Sequence, residues 1–316
     1  MGNVFYFEWE PALMAWLQAH LGSFGTLLAK LFTLFGEEML LVAVLGFLYW
    51  SYNKQLGLRV GTSLLTASLL NPMVKNIALR KRPYMVHSEV ACLKPVDSSA
   101  DILDLRAQGY SFPSGHSASA VSTYGSLAHS VKKRWLSLAA VALCLLVGIS
   151  RFCLGVHYPT DVAAGWVLGA AVVLAVSFLE KHVKSRWQLN LILLVIALPG
   201  LIYCRSNDYF SALGMMIGLT LGNLFEERFV NFRDTRKPVF MVLRLIGGVA
   251  CFFGLNTLLK LPFSSDFLNA GTMGAFLIRT LRYAIVVFII IGVYPMLFAL
   301  CEKTGKSSSR KADAAA

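Results

Sequence analysis

The sequence predicts an all-α, polytopic transmembrane helical bundle of about nine spans plus an N-terminal amphipathic helix. Of the 316 residues, 56% are apolar and 15% charged, and the mean hydropathy is +0.62, a composition foreign to soluble domains. Apolar runs recur at 36–52, 58–79, 115–131, 135–153, 160–179, 187–203, 210–225, 239–259 and 274–300, close to the ~20 residues a helix needs to cross a bilayer. Basic residues gather in the short connections between those runs, where they set topology. The net charge of +12 therefore points to membrane lipids as surroundings and implies no nucleic-acid partner.

In chain order, the opening MGNVFYFEWEP lacks the basic region and cleavage site of a removable signal peptide. Tyr6 stands where a myristoylation signal wants Ser or Thr. Residues 1–35 are read as an amphipathic N-terminal segment. Within it Leu13, Leu17, Leu21, Phe24, Leu28, Leu31 and Phe35 recur every three or four positions, while Gln18, His20, Ser23, Thr26, Lys30 and Thr33 cluster elsewhere. Such a stripe suits an interfacial helix or a first span, and the interface is the expectation. Residues 36–180 form the central domain, 181–302 accessory transmembrane helices, and 303–316 a disordered cytoplasmic tail.

The long connection between Arg82 and Pro113, with Glu89, Asp97, Asp101 and Asp104 beside Lys94 and Arg106, is either a lid or a disordered link. Six Cys residues show neither metal-ligand spacing nor a CxxC pair. Cys144, Cys251 and Cys301 read as small apolar fillers; Cys92, Cys153 and Cys204 fall near one face, which leaves a Cys92 to Cys204 disulfide open. Arg279 and Arg282 enter the last span, where they either snorkel or pair with Asp266 or a lipid phosphate.

Three stretches carry chemistry. SRFCLGVHYPTD, Ser150 to Asp161, places Arg151, His157 and Asp161 between two apolar helices, with Pro159 suited to the first turn of the second. Asp161, four residues after His157, can take a proton from one ring nitrogen and leave the other as a nucleophile. In KNIALRKRP, Lys75 and Arg82 are seven residues apart, so a continuous helix would aim both at one point before Pro83 stops it. FPSGHSAS sets Ser114, Gly115 and His116 at a helix start, an anion site of free N–H groups and a hydroxyl.

Together these stretches resemble the signature K-x6-RP, PSGH and SR-x5-H-x3-D of the type 2 phosphatidic acid phosphatase superfamily, matched in order over roughly residues 38–180. The resemblance implies a metal-independent membrane phosphatase with no cofactor, sharing a core with vanadium haloperoxidases. Residue chemistry and resemblance agree on roles. His157 attacks phosphorus, Asp161 fixes its tautomer, and His116 protonates the leaving alcohol and then activates water. Lys75, Arg82 and Arg151, with the Ser114 hydroxyl and the Gly115 N–H, clamp the phosphoryl oxygens, so no metal is expected.

Alternating the spans puts the three motifs on one face. The opposite face collects 16 basic residues, from Lys54 and Arg59 to Lys303, Lys306, Arg310 and Lys311, against six on the motif side once Lys75, Arg82 and Arg151 are set aside as functional: Arg80, Lys81, Lys94, Arg106, Arg205 and Lys260. By the positive-inside rule the motifs face the periplasm, cell exterior or a lumen, and the C-terminus is cytoplasmic. The expected activity is phosphoric monoester hydrolysis of a lipid phosphate or diphosphate. A lipid would enter sideways near the 58–79 and 160–179 helices, with the long connection as a partial lid. Resemblance to the sphingosine-phosphate phosphatase and glucose-6-phosphatase branches keeps a soluble sugar phosphate open, and a phosphotransferase could use the same phosphohistidine. Oligomeric state leaves no mark in the sequence.

Overall fold

The computed structural model describes residues 2–298. The tail 303–316, its basic residues, Cys301 and the end of the last apolar run lie outside the described residues. The helices are α1 (Trp9–Leu34), α2 (Glu38–Tyr52), α3 (Lys54–Ala78), the short α4 (Leu105–Gln108), α5 (115–131), α6 (Arg134–Cys153), α7 (Pro159–His182), α8 (Arg186–Ala197), the short α9 (Gly200–Tyr203), α10 (Asn207–Phe225), α11 (Pro238–Leu258), the short α12 (Ser265–Asn269) and α13 (Met273–Phe288). Among the described residues there is no strand, only a single bridge between Asn3 and Arg80, so the class is all-α.

The outer faces are apolar, as lipid requires. On α6, Leu138, Val141, Leu145 and Ile149 are exposed at helical spacing, and on α7 so are Val167, Leu174 and Phe178. The protein is a multi-pass membrane protein. Four described helices, α6, α7, α11 and Met273–Phe298, are long and apolar enough to cross, and a fifth crossing counts if α1 and α2, bent by 46°, form one span. The other apolar runs meet local obstacles. The run at 187–203 breaks at Leu198 and Pro199, and α3 carries Lys54, Arg59, Asn71 and Lys75 along its length.

The chain divides into two compact units, one made of the residues up to Val42 with Arg59–Lys184 and Val195–Tyr209, the other of Ala43–Leu58, Ser185–Leu194 and the chain from Phe210 onward. All three motifs belong to the first. There α6 packs against α1, α5 and α7, and α5 against α7. Glycine allows the last approach: a Cβ on Gly165 of α7 would stand 2.5 Å from the Ser114 carbonyl oxygen, and one on Gly169 would stand 2.8 Å from that of Ala118. The motif turn needs glycine too, since Gly155 has φ +79° and a Cβ there would lie 2.0 Å from the Ala91 carbonyl oxygen.

Helix α1 departs from its expected single stripe. Gly22, at φ 58° and ψ −171°, kinks it, and the buried positions are Glu10, Pro11, Met14, Ala29 and Thr33 while Phe24 stays 71% exposed. Leu17 and Leu21 pack on Tyr84, Cys153, Leu154 and Val156, and α1 runs along α6 instead of lying alone. Cys92 and Cys204 are free; Cys204 is buried with its Sγ 3.9 Å from the Pro72 carbonyl, and no disulfide joins them.

In the second unit, α10 presents Gly214, Gly218 and Gly222 toward α13, where Cβ atoms on the first two would meet the carbonyl oxygens of Thr280 and Ala284 at 2.2 and 2.5 Å. This is the small-residue packing of membrane helices. Trp50 is buried, its Nε1 donating to the Ile290 carbonyl at 3.0 Å.

Gly165→Val should lower the apparent Tm in detergent by several degrees, because overpacking costs about 1–3 kcal/mol. An unchanged Tm would refute the close α5–α7 contact.

Candidate active site

His157 sits in the turn between α6 and α7, 2% exposed. Its Nδ1 lies 3.5 Å from Asp161 Oδ2 and 3.4 Å from Ser111 Oγ, and a hydrogen bond to the Ser111 backbone favours the protonated ring. With acceptors gathered around Nδ1, the proton belongs there and the lone pair belongs on Nε2. That Nε2 is 3.4 Å from Arg82 Nη1. Burial first, then the charges of Arg82, Arg151 and Lys75, hold the His157 pKa well below the ordinary histidine value, so the ring is neutral near pH 7.

Arg82 reaches this position by a route the helical spacing did not foresee. Helix α3 ends at Ala78, Leu79 turns with φ 53°, and Arg82 is extended at φ −72°, ψ 151° ahead of the 3₁₀ turn Pro83–Met85. Its Nε donates to the carbonyls of Gln108 at 2.9 Å and Gly109 at 3.0 Å, and its Nη1 to that of Val156 at 2.9 Å. Burial pulls its pKa below the usual arginine value. Carbonyl partners fix the guanidinium without neutralising it.

Asp161 is wholly buried and fully engaged. As the third residue of α7 it accepts the Tyr158 N–H at 2.8 Å, a favourable place for a carboxylate. It also accepts the Ser111 hydroxyl and pairs with Arg80 Nη1 at 2.7 Å. Arg80 in turn pairs with Glu10 at 3.0 Å, and its guanidinium lies 3.9 Å from the Tyr158 ring centroid and 4.7 Å from that of Phe5. Glu10 Oε1 accepts both the N–H and the hydroxyl of Thr160, at 2.9 and 2.6 Å. Sequence reasoning missed Glu10, Arg80 and Ser111. Arg80 had counted only as a topology charge, and Glu10's one local sign was its place in the first turn of an apolar helix.

The remaining expected residues join the same unit. Lys75 feels the charges of Arg82, Asp208, Asp161 and Arg151. Arg151 Nη1 donates to Thr33 Oγ1 at 2.5 Å, and its buried Nε has no partner among the described residues. Ser114 caps α5, accepting the Ser117 N–H at 3.3 Å and hydroxyl at 2.9 Å, so its own proton remains for an anion. The Ser114 N–H donates to the Asp161 carbonyl at 2.9 Å, which fixes Gly115 and His116 beside the third motif. His116 feels Arg151, His157, Lys75 and Lys94.

The 83–112 connection is ordered over this site. Gln108 accepts the N–H groups of Val96 at 2.9 Å and Asp97 at 3.2 Å, Gln18 exchanges two hydrogen bonds with Ala91, each 2.9 Å, and Lys94 pairs with Glu37.

Fold and site together define a multi-pass membrane protein with a buried His–Asp pair set among three cations. Residues 56–183 match the PAP2 superfamily, and residues 210–306 match the transmembrane extension of PAP2 superfamily phosphatases. The chain belongs to the PAP2 superfamily. It is 33% identical over 141 residues to the decaprenylphosphoryl-5-phosphoribose phosphatase of Mycobacterium tuberculosis, covering 44% of this chain and 71% of that one. It is 28% identical over 152 residues to the undecaprenyl-diphosphatase of Sulfolobus acidocaldarius, covering 48% and 66% respectively, and 37% identical over 84 residues to the phosphatidylglycerophosphatase B of Bacillus subtilis, covering 24% and 41%. The match thus spans less than two thirds of the last two relatives. No solved structure matches the chain.

Arg80→Gln should cut kcat by about 10²-fold or more with a smaller change in KM, since it leaves Asp161 and Glu10 as uncompensated buried charges. Arg80→Lys should recover part of the loss. Steady-state kinetics in detergent that show equal rates for all three proteins would remove Arg80 from the site.

Proposed function

We propose that the protein is a membrane phosphatase that hydrolyses a lipid phosphate ester through a phosphohistidine on His157, without a metal. The observation that carries this reading is the His157 ring itself, with its lone-pair nitrogen against the Arg82 guanidinium and its other nitrogen facing Asp161. Nε2 attacks phosphorus, the P–O bond to the alcohol breaks, and His116 gives the leaving oxygen its proton. Water, deprotonated by His116, then breaks the P–N bond and releases phosphate. Asp161 stabilises the imidazolium that forms in between. Lys75, Arg82 and Arg151, the Ser114 hydroxyl and the Gly115 N–H hold the equatorial oxygens, the charge neutralisation a metal supplies elsewhere.

A lipid substrate is supported from two sides. The relatives' names each describe a phosphate on a lipid or polyprenyl chain, and the helices around the site present apolar outer faces. An open groove of about 580 Å³ runs between α1 and the 91–93 turn, lined by residues including Leu27, Lys30 and Leu93. Cys92, within that turn, feels the charges of Arg82 and Arg151. The excess of basic residues in the opposite loops supports an extracytoplasmic site and a cytoplasmic C-terminus.

His157→Ala should abolish turnover and phosphoenzyme labelling, whereas His116→Ala should keep a residual rate, since a positioned acid contributes about 10²–10⁴-fold. The pH profile follows from the cations around His157. They disfavour its protonated form, so the neutral nucleophile survives as pH falls through about 6.5 and is lost only below that. An acid limb of kcat/KM at or above pH 6.5 would contradict the assignment.

The substrate class is tested by phosphate release in EDTA, with a long-chain lipid phosphate and glucose 6-phosphate at matched concentrations. The lipid should be hydrolysed with kcat/KM larger by several orders of magnitude, because each buried methylene adds about 0.8 kcal/mol of binding. Comparable values would defeat the lipid reading, and activity lost in EDTA and restored by magnesium would defeat metal independence.

A further inference from the structure

Buried arginines in this chain fall into two groups. Arg80 pairs with Glu10 and Asp161, Arg82 donates to three carbonyls, and Arg244 in α11 donates to the carbonyls of Trp50 at 2.7 Å and Arg233 at 3.0 Å. Arg282 in α13 differs. It is 3% exposed and makes no hydrogen bond or ion pair among the described residues; its Nε, like those of Arg80 and Arg151, is buried without a partner, and its described contact is the ring of Tyr283, 5.3 Å from the guanidinium. Asp266, the acid that sequence reasoning offered as a partner, makes no ion pair with it. A cation buried in an apolar helix without a described partner is costly, so ionisable groups in such places are usually held for a ligand.

Other polar groups are found on the helices around it. Arg279, three residues earlier, shares the same face of α13. Helix side chains lean toward the N-terminus, so both arginines lean toward the connection that begins at Lys260, just past the end of α11. Burial, and then the charges of Arg282 and Arg279, pull the Lys260 ammonium below its ordinary pKa. One turn before Lys260, Asn256 carries a buried amide oxygen without a partner. Three cations that repel one another, one of them desolvated and unpaired, stay together at least cost when an anion sits among them. Arg282 is nine residues into α13, about 13 Å along its axis, within reach of the headgroup layer through the length of its side chain.

We propose that Arg282, Arg279 and Lys260 form a second anion site, within the accessory unit, that takes the phosphate of an anionic phospholipid headgroup. The site belongs to the other unit from the three motifs, and its ligand is held, not hydrolysed, since His116 and His157 both lie in the first unit. A bidentate guanidinium–phosphate contact at Arg282, steadied by the Lys260 ammonium, matches the way arginine and lysine divide phosphate recognition.

The test uses the full chain, purified in a neutral maltoside detergent and stripped of lipid, with binding read by native mass spectrometry. The probes are dioleoylphosphatidylglycerol, dioleoylphosphatidylcholine and inorganic phosphate. Wild type should hold phosphatidylglycerol about tenfold more tightly than phosphatidylcholine, and Arg282→Gln and Lys260→Gln should each lose about tenfold of that affinity. Lys260 is exposed at a helix end, so its variant reports even if Arg282→Gln fails to fold. Both variants have an intact catalytic site, so a loss seen in them belongs to the second site. Equal phosphatidylglycerol affinity in wild type and Lys260→Gln would overturn the proposal. So would tight binding of inorganic phosphate with the same sensitivity to both substitutions, which would assign the site to a free ion.

Discussion

The Asp161 carboxylate is a full negative charge with no exposure to water, and much of the first unit is arranged to make that tolerable. A buried carboxylate is stable only when its lone pairs are filled and its charge is balanced. Here the balance comes from Arg80, one of the bonds from the N-terminus of its own helix, and another from Ser111 ahead of the second motif. Arg80 then needs a further acid, and Glu10 supplies it from the start of the chain while holding Thr160 in the first turn of α7. Four separated segments are thereby bound to one charge. The group that orients His157 is also the group that joins these segments, so site geometry and fold stability depend on the same contacts.

The cations follow the opposite logic. Arg82 is anchored by carbonyl oxygens and Arg151 by the Thr33 hydroxyl, and neither is given a carboxylate. Neutral acceptors set direction but leave the charge of Arg82 and Arg151 unspent, which is what the proposed phosphoryl clamp requires of them. Burial, and then their field, keeps His157 neutral. A single electrostatic arrangement thus suits both the anion and the neutral nucleophile of the proposed reaction.

Helix contacts in both units rest on backbone approach. Gly165 and Gly169 let α7 reach α5, and Gly214 and Gly218 let α10 reach α13. In lipid, where apolar side chains gain nothing by leaving the solvent, such close packing supplies the cohesion that hydrophobic burial supplies in water. Large aliphatic side chains such as Leu138, Val141, Val167 and Leu174 are accordingly free to turn outward.

The sequence by itself determined what depends on near neighbours. Apolar runs at 135–153, 160–179 and 239–259 correspond to α6, α7 and α11 because hydropathy over ~20 residues is a local property. Pro159 opens α7 for the equally local reason that its ring fits a first turn. The three motifs named most of the side chains now found in one unit. What lay beyond the sequence was long-range pairing. Arg82 reached His157 through a turn at Leu79 held by Asn3, whose N–H donates to the Leu79 carbonyl at 2.7 Å, and not along a continued helix. The stripe on α1 was divided by a kink at Gly22. Arg80 looked like any basic residue at a helix end, since its partners Glu10 and Asp161 are 70 and 81 positions away. A charge carries no local sign of what will neutralise it. Only the tertiary structure, by excluding water and bringing distant segments within 3 Å, decided which charges were paired with a carboxylate, which were buried on neutral acceptors, and which were merely at the surface.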